Sequence, residues 1–84
     1  MYYVYILRSK KDRDRFYIGY TTDLDRRLRE HNESRSLYTK RHAPWCVETY
    51  ISFSSKELAK DFERYLKSGS GKTFVKRRLM AALR

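Results

Sequence analysis

The sequence predicts a single small domain of the α/β (α+β) class: a three-stranded antiparallel sheet flanked by three helices. Three observations carry that expectation. Residues 2–7, 15–21 and 45–53 are rich in aromatic and β-branched side chains, the composition of strands. Residues 23–32, a stretch beginning near Ser54, and residues 73–83 place apolar side chains at helical spacing. The chain of 84 residues has room for one core and contains no repeat or low-complexity tract.

The first strand is apolar on both alternating faces, so each face is covered or one of them lines a site. Residues 9–14 form a polar connection of hairpin length. Pairing Leu7 with Arg15 sets Tyr5 opposite Tyr17, with both rings on one face of the sheet. The first helix then opens with Thr22 as cap, with Asp23 and Asp25 in the turn where carboxylates favour the positive helix end. Leu24 and Leu28 mark its buried stripe, and Arg27 and His31, four apart, are neighbours beside it. A guanidinium in that setting suits a phosphate.

Residues 33–44 show no clean period and read as a long surface loop. Its bases (Arg35, Lys40, Arg41 and His42, around Tyr38) suffice to touch a phosphate backbone. The third strand presents Val47, Thr49, Ile51 and Phe53 on one face. Ser54 and Glu57 have capping-box spacing for the second helix, whose stripe is Leu58, Phe62, Tyr65 and Leu66 and whose end is Gly69. Glu63 lies off that stripe. The third helix buries Val75, Leu79, Ala82 and Leu83, which leaves part of Lys76, Arg77 and Arg78 as a basic surface.

Two tempting motifs are set aside. The run Gly69-Ser70-Gly71-Lys72-Thr73 lacks the glycine that a phosphate loop needs five residues before Gly71, where Leu66 stands, and a helix leads into it where a strand should. A glycine-softened helix junction is expected there, and no nucleotide cofactor. His31 and His42 are not joined by a patterned third metal ligand, so surface roles are the commoner reading.

Composition narrows the partner. Twenty basic residues against ten acidic ones give a formal charge of +10, and from Arg64 onward there are seven bases and no acid. Such a field draws a polyanion, most often nucleic acid, although a solvated basic face is the plainer alternative. Lys40, Arg41, Lys72, Lys76, Arg77 and Arg78 are the candidate contacts. The single cysteine, Cys46, forms no internal disulfide, so thirteen aromatic side chains must supply most of the core. The apolar run at residues 2–7 is too short for a signal core or a membrane span, and a cytoplasmic protein without membrane contact is expected.

Together, Tyr3-Val4-Tyr5, Tyr17-Ile18-Gly19, Arg27, His31 and Glu63 resemble the GIY-YIG nuclease superfamily, and most closely its small single-domain bacterial members. The frame Tyr-Ile-Gly-x-Thr-x-x-Leu-x-x-Arg-Leu-x-x-His, starting at Tyr17, matches residue by residue, and the resemblance covers nearly the whole chain. It implies cleavage of phosphodiester bonds in DNA with little sequence preference, using Mg²⁺ or Mn²⁺. By similarity Tyr5 and Tyr17 shape the nucleophile side, Arg27 binds the scissile phosphate, His31 assists by hydrogen bonding or proton transfer, and Glu63 holds the metal ion. Two departures accompany it. A tyrosine, Tyr3, replaces the glycine of the first signature. No asparagine follows Asn32, where many members carry one late in the domain, so Ser68, Ser70 and Thr73 are candidate substitutes. A catalytically weak binding module on the same fold is therefore the alternative reading, and a protein-interaction domain the third.

If about five bases meet phosphates, log affinity for duplex DNA should fall against log salt with a slope of about −4 to −5. Replacing Lys76, Arg77 and Arg78 together should flatten that slope, as binding measured at several salt concentrations will show. An unchanged slope would place the contact surface elsewhere.

Overall fold

Strand β1 (Tyr2–Ser9) runs down the centre of a three-stranded sheet, with β2 (Phe16–Thr21) and β3 (Trp45–Phe53) antiparallel at its two edges. The computed structural model describes residues 1–33 and 37–82, with Leu37 and Tyr38 by their backbone alone; Arg35, Leu83 and Arg84 lie outside the described residues. Around the sheet stand α1 (Leu24–Asn32), α2 (Leu37–His42), α3 (Lys56–Leu66) and α4 (Gly69–Phe74), which passes into a π-helical turn at Val75–Leu79.

Residues 4 to 9 of β1 are all buried, so both of its faces are core. On one face Val4 and Ile6 join Ile18 and pack against Ala59 and Leu66 of α3 and against Val75. On the other face Tyr5 and Leu7 join Trp45, with Tyr17, Leu24, Leu28 and Val47 packed around them. Helices α1 and α3 thus bury their apolar sides against opposite faces of the same strand.

The hairpin register is two residues away from the expected one. Leu7 pairs with Tyr17 and Tyr5 with Gly19. Arg8 and Ser9 extend β1 because they are satisfied while buried: the Ser9 amide donates to the Arg15 carbonyl, and its Oγ accepts from the Lys11 and Asp12 amides. A shift of two preserves parity, so Tyr5 and Tyr17 still share a face, with ring centroids 6.5 Å apart.

Strand β3 does not keep one face. Ile6 pairs with Thr49 but Leu7 with Val47, so Glu48 is the extra residue of a β-bulge. Val47 is therefore turned to the Tyr5 side, away from the face of Thr49, Ile51 and Phe53. The bulge has a chemical reason. The Glu48 carboxylate, released from the alternation, accepts from Arg8 Nη1 at 3.2 Å and from the Ala81 amide at 2.6 Å. Arg8 also donates to the carbonyls of Arg13 and Ala81, both at 2.7 Å. Thr49 Oγ1 donates to the Leu79 carbonyl at 2.6 Å. These bonds fasten the end of the described chain to the sheet.

Several helix expectations shift. Asp23, not Thr22, caps α1, its carboxylate accepting from the Arg26 amide. A short helix, α2, replaces part of the expected loop. Ser55, not Ser54, caps α3, and the helix turns accordingly: Ala59 and Leu66 are buried, whereas Leu58 and Tyr65 stand 59% and 44% exposed. Glu63, four residues after Ala59 and three before Leu66, lies at the margin of that buried face. Helix α3 ends where Ser68 caps α4, and Gly69 is already inside the next helix. Gly71 is a glycine for a packing reason, because a Cβ there would collide with the Tyr65 carbonyl and the Leu66 Cα. The third expected helix leaves helical geometry at Met80 (φ −126°, ψ 136°), so Ala82 is exposed.

Glu48→Ala would leave the buried Arg8 guanidinium without its carboxylate. It should cost about 3–5 kcal/mol of unfolding free energy, the scale of a broken buried pair. Denaturant unfolding will measure this, and replacing both partners by Met and Leu should cost much less.

Candidate functional site

The register that pairs Tyr5 with Gly19 creates the centre of the site. A Cβ on Gly19 would collide with the Tyr5 hydroxyl and Cζ, so the glycine leaves the space that the tyrosine ring occupies. Just beyond, Thr21 Oγ1 accepts from the Asp23 amide at 3.0 Å and Asp23 caps α1, which fixes the passage from strand to helix. One turn into the helix Arg27 arrives over the tyrosine, and His31 follows on the next turn.

The Tyr5 hydroxyl joins them. Arg27 Nε donates to it at 3.3 Å, and it lies 3.0 Å from His31 Nε2. The hydroxyl accepts from arginine and still has a proton and a second lone pair to offer Nε2, so either neutral tautomer of His31 completes the bond. The electrostatics agree. Burial and then the Arg27 charge lower the His31 pKa from 6.5 to about 4. Burial pushes Tyr5 up to about 12, although the bond to Arg27 pulls the other way, with smaller upward pushes from Tyr17 and Glu63. Burial also works against the charge of Arg27, yet its bonds to Tyr5 and Glu30 outweigh that and hold its pKa above the ordinary value. The Arg27–Glu30 pair measures 3.1 Å. The Tyr17 ring closes the group, its centroid 4.7 Å from that of His31.

Strand β2 is a sheet edge, and a groove of about 480 Å³ runs along it. Its hairpin wall includes Asp14, Arg15, Phe16 and Tyr17, and its helical wall is Lys67, Lys72 and Lys76. Tyr17 therefore belongs both to the tyrosine–histidine group and to a basic groove. Glu63 stands on the helical side. Its side chain is 18% exposed, and its carboxylate accepts from Lys67 Nζ at 3.1 Å and is near enough to be felt at the Tyr5 hydroxyl.

Tyr5, Tyr17, Arg27 and His31 are thus brought together, with Glu63 at their border. Lys72 and Lys76 share the groove. Arg77 and Arg78 are exposed on the π-helical turn but do not line it, and Lys40 and Arg41 are exposed on α2. The substitutes considered for the missing asparagine are mostly committed elsewhere. Ser68 Oγ accepts from the Gly71 amide and donates to the Tyr65 carbonyl, and Thr73 Oγ1 donates to the Gly69 carbonyl. Asn32 is spent on both backbone groups of Trp45. Sequence reasoning missed Lys67, Arg15 and Glu30. The i,i+4 spacing of Glu63 with Lys67 and the i,i+3 spacing of Arg27 with Glu30 were the available signals.

Comparison with known proteins agrees with this fold. The family model described as the GIY-YIG catalytic domain matches residues 1–78. A UPF0213 protein of Halalkalibacterium halodurans is 39% identical over 67 residues, covering 79% of this chain and 69% of that protein. The structure-specific endonuclease subunit SLX1 of Malassezia globosa is 39% identical over 67 residues, which are 75% of this chain but only 15% of that protein. The solution NMR structure of the UPF0213 protein from Bacillus halodurans superposes with a TM-score of 0.55 at 36% identity, covering 94% of this chain and 87% of that one. The fold and the site define a nuclease-type α/β domain. This chain belongs to the GIY-YIG family.

The His31 pKa carries a stability signature. The folded protein keeps His31 neutral down to about 4, while the unfolded chain takes up a proton near 6.5. Stability should therefore drop as pH falls through that window, by an amount of order 3 kcal/mol from this residue. Urea unfolding across the window should show a flatter profile for His31→Gln than for the native protein.

Proposed function

We propose that the protein is a divalent-metal-dependent endonuclease that hydrolyses phosphodiester bonds in DNA with little sequence preference. One observation carries the reading: Arg27, Tyr5 and His31 form a hydrogen-bonded group, and Tyr17, whose ring packs on His31, opens onto a groove walled by lysines. A basic wall reads backbone rather than base edges. SLX1 is named as a structure-specific endonuclease subunit, which favours the same reading here.

The two tyrosines do different work. Tyr5 is 1% exposed, so it acts from behind, orienting Arg27 and His31. Tyr17 is half-buried and lines the groove, so it meets the substrate and orients the attacking water. Arg27, more than a third exposed, binds the scissile phosphate and stabilises the charge that builds on it. Neutral His31, 3.0 Å from the Tyr5 hydroxyl, is the proton acceptor of this group. Arg27 is also the second cause of the low His31 pKa. A phosphate on Arg27 offsets that charge and makes His31 a stronger base when the substrate is in place.

A divalent cation fits the donor set in one form only. Among the described residues no three His, Cys, Asp or Glu side chains gather, so a fully protein-coordinated ion has no cage. The single carboxylate of Glu63 suits hydrated Mg²⁺, or Mn²⁺, completed by waters and substrate oxygens. When bound, the cation would offset charge on the phosphate and the leaving oxygen.

A binding module without useful cleavage is the second reading. It is favoured by the occupied Asn32, Ser68 and Thr73 side chains, which leave Ser70 as the one remaining candidate for the late-asparagine role. The deciding experiment incubates the protein with supercoiled, branched and single-stranded DNA and with Mg²⁺ or Mn²⁺. Cleavage should occur, fall about 10²-fold or more in Arg27→Ala, and vanish in Glu63→Gln, with DNA binding in EDTA retained by the Glu63 variant. A native protein that binds but never cuts would establish the second reading.

A further inference from the structure

Lys67 touches two parts of the molecule that the proposed reaction must coordinate. Its ammonium is 3.1 Å from the Glu63 carboxylate, and its side chain lines the β2-edge groove. The other lysines of that wall, Lys72 and Lys76, form no ion pair with an acid among the described residues. Three cations share the wall, and only the one nearest the α3 carboxylate is neutralised. The Lys67 side chain is half exposed, and a partly exposed i,i+4 pair is weak and readily exchanged.

We propose that Lys67 exchanges partners: it holds Glu63 in the free protein and takes a phosphate when a nucleic-acid strand lies in the groove, which frees the carboxylate for the divalent cation. This rests on the assignment of the cation to Glu63. The exchange satisfies each charge in both states. Without a strand, the carboxylate and the ammonium neutralise each other, and a cation has to displace Lys67 to bind. With a strand, phosphate replaces carboxylate at the ammonium, and Glu63 is left negative where its charge is felt at Tyr5. Strand and cation then favour each other's binding, and a strand-free protein takes up little metal. Lys67 is in this sense a positioning residue for the cation, acting through Glu63.

Two measurements, neither reading cleavage, decide the matter. In the first, Mn²⁺ binding to the strand-free protein is followed by electron paramagnetic resonance. Lys67→Met should raise Mn²⁺ affinity by about twofold or more, the scale of the pair it removes. Lys72→Met removes the same charge from the same wall without touching Glu63, and it should change the affinity clearly less. In the second, a mixed-sequence single-stranded DNA oligonucleotide is titrated in EDTA. Glu63→Gln should tighten binding by about twofold, because Lys67 is released to the phosphates, and that gain should be absent in a Lys67→Met background.

Equal effects of Lys67→Met and Lys72→Met on Mn²⁺ would overturn the exchange and leave a general field effect. So would a Glu63→Gln gain that persists without Lys67. The underlying assignment fails separately: a Glu63→Gln protein that binds Mn²⁺ as the native one does would remove the cation from Glu63 and end the proposal with it. Lys67→Met and Lys72→Met change exposed side chains, and their unfolding curves should match the native protein's.

Discussion

Everything in this domain leans on the burial of β1 from both sides. Val4 and Ile6 serve the core under α3, and Tyr5 and Leu7 serve the core under α1. A small chain without disulfides gains two apolar interfaces from one strand in this way. The cost appears at Tyr5, the only ionisable side chain among these four, whose hydroxyl is buried with them. Arg27 and His31 satisfy it, and the bonds that prevent an unpaired buried hydroxyl are those that build the candidate site.

The same arrangement explains how a residue on the far side of the sheet comes to belong to the site. Helix α3 packs on the Val4–Ile6 face, whereas Tyr5 and Arg27 are on the other. Strand β2 is the sheet edge nearest both, and at Gly19 it has no side chain to stand between them. Lys67, paired with Glu63 at the margin of the buried face of α3, reaches the edge groove into which Tyr17 opens from the opposite face. The free edge of β2 is thus covered by charged side chains rather than left as a bare ladder.

A second set of bonds places the basic wall. The bulge at Glu48 and the buried Arg8 hold the backbone at Ala81, and Thr49 holds it at Leu79. The π-helical turn that carries Lys76 ends between these anchors and Gly71, which lies directly against the end of α3. The Gly-Ser-Gly-Lys-Thr run, which resembles a phosphate loop on the page, is a tight helix-to-helix contact. Its lysine reaches the groove as a side-chain cation, not as part of a backbone cradle.

Much was determined by sequence alone, for local reasons. Aromatic and β-branched runs marked the three strands, and parity alone was enough to put Tyr5 and Tyr17 on one face despite a register two residues off. The four-residue spacing of Arg27 and His31 put both on one side of α1 wherever that helix began. Basic excess after Arg64 announced an electropositive surface. What the tertiary structure decided were questions of depth and partner, which depend on residues far apart in the chain. Arg8 reads as the end of a strand until Glu48, forty residues away, makes its burial tolerable. Glu63 reads as clear of its helix stripe until a cap one residue later turns α3 and brings the carboxylate to the rim of the buried face. Tyr5 and Tyr17 look equivalent in sequence, yet packing buries one hydroxyl between Arg27 and His31 and opens the other tyrosine to the groove. Pattern fixes which way a side chain points along its own element; only the packing of elements fixes what it meets there.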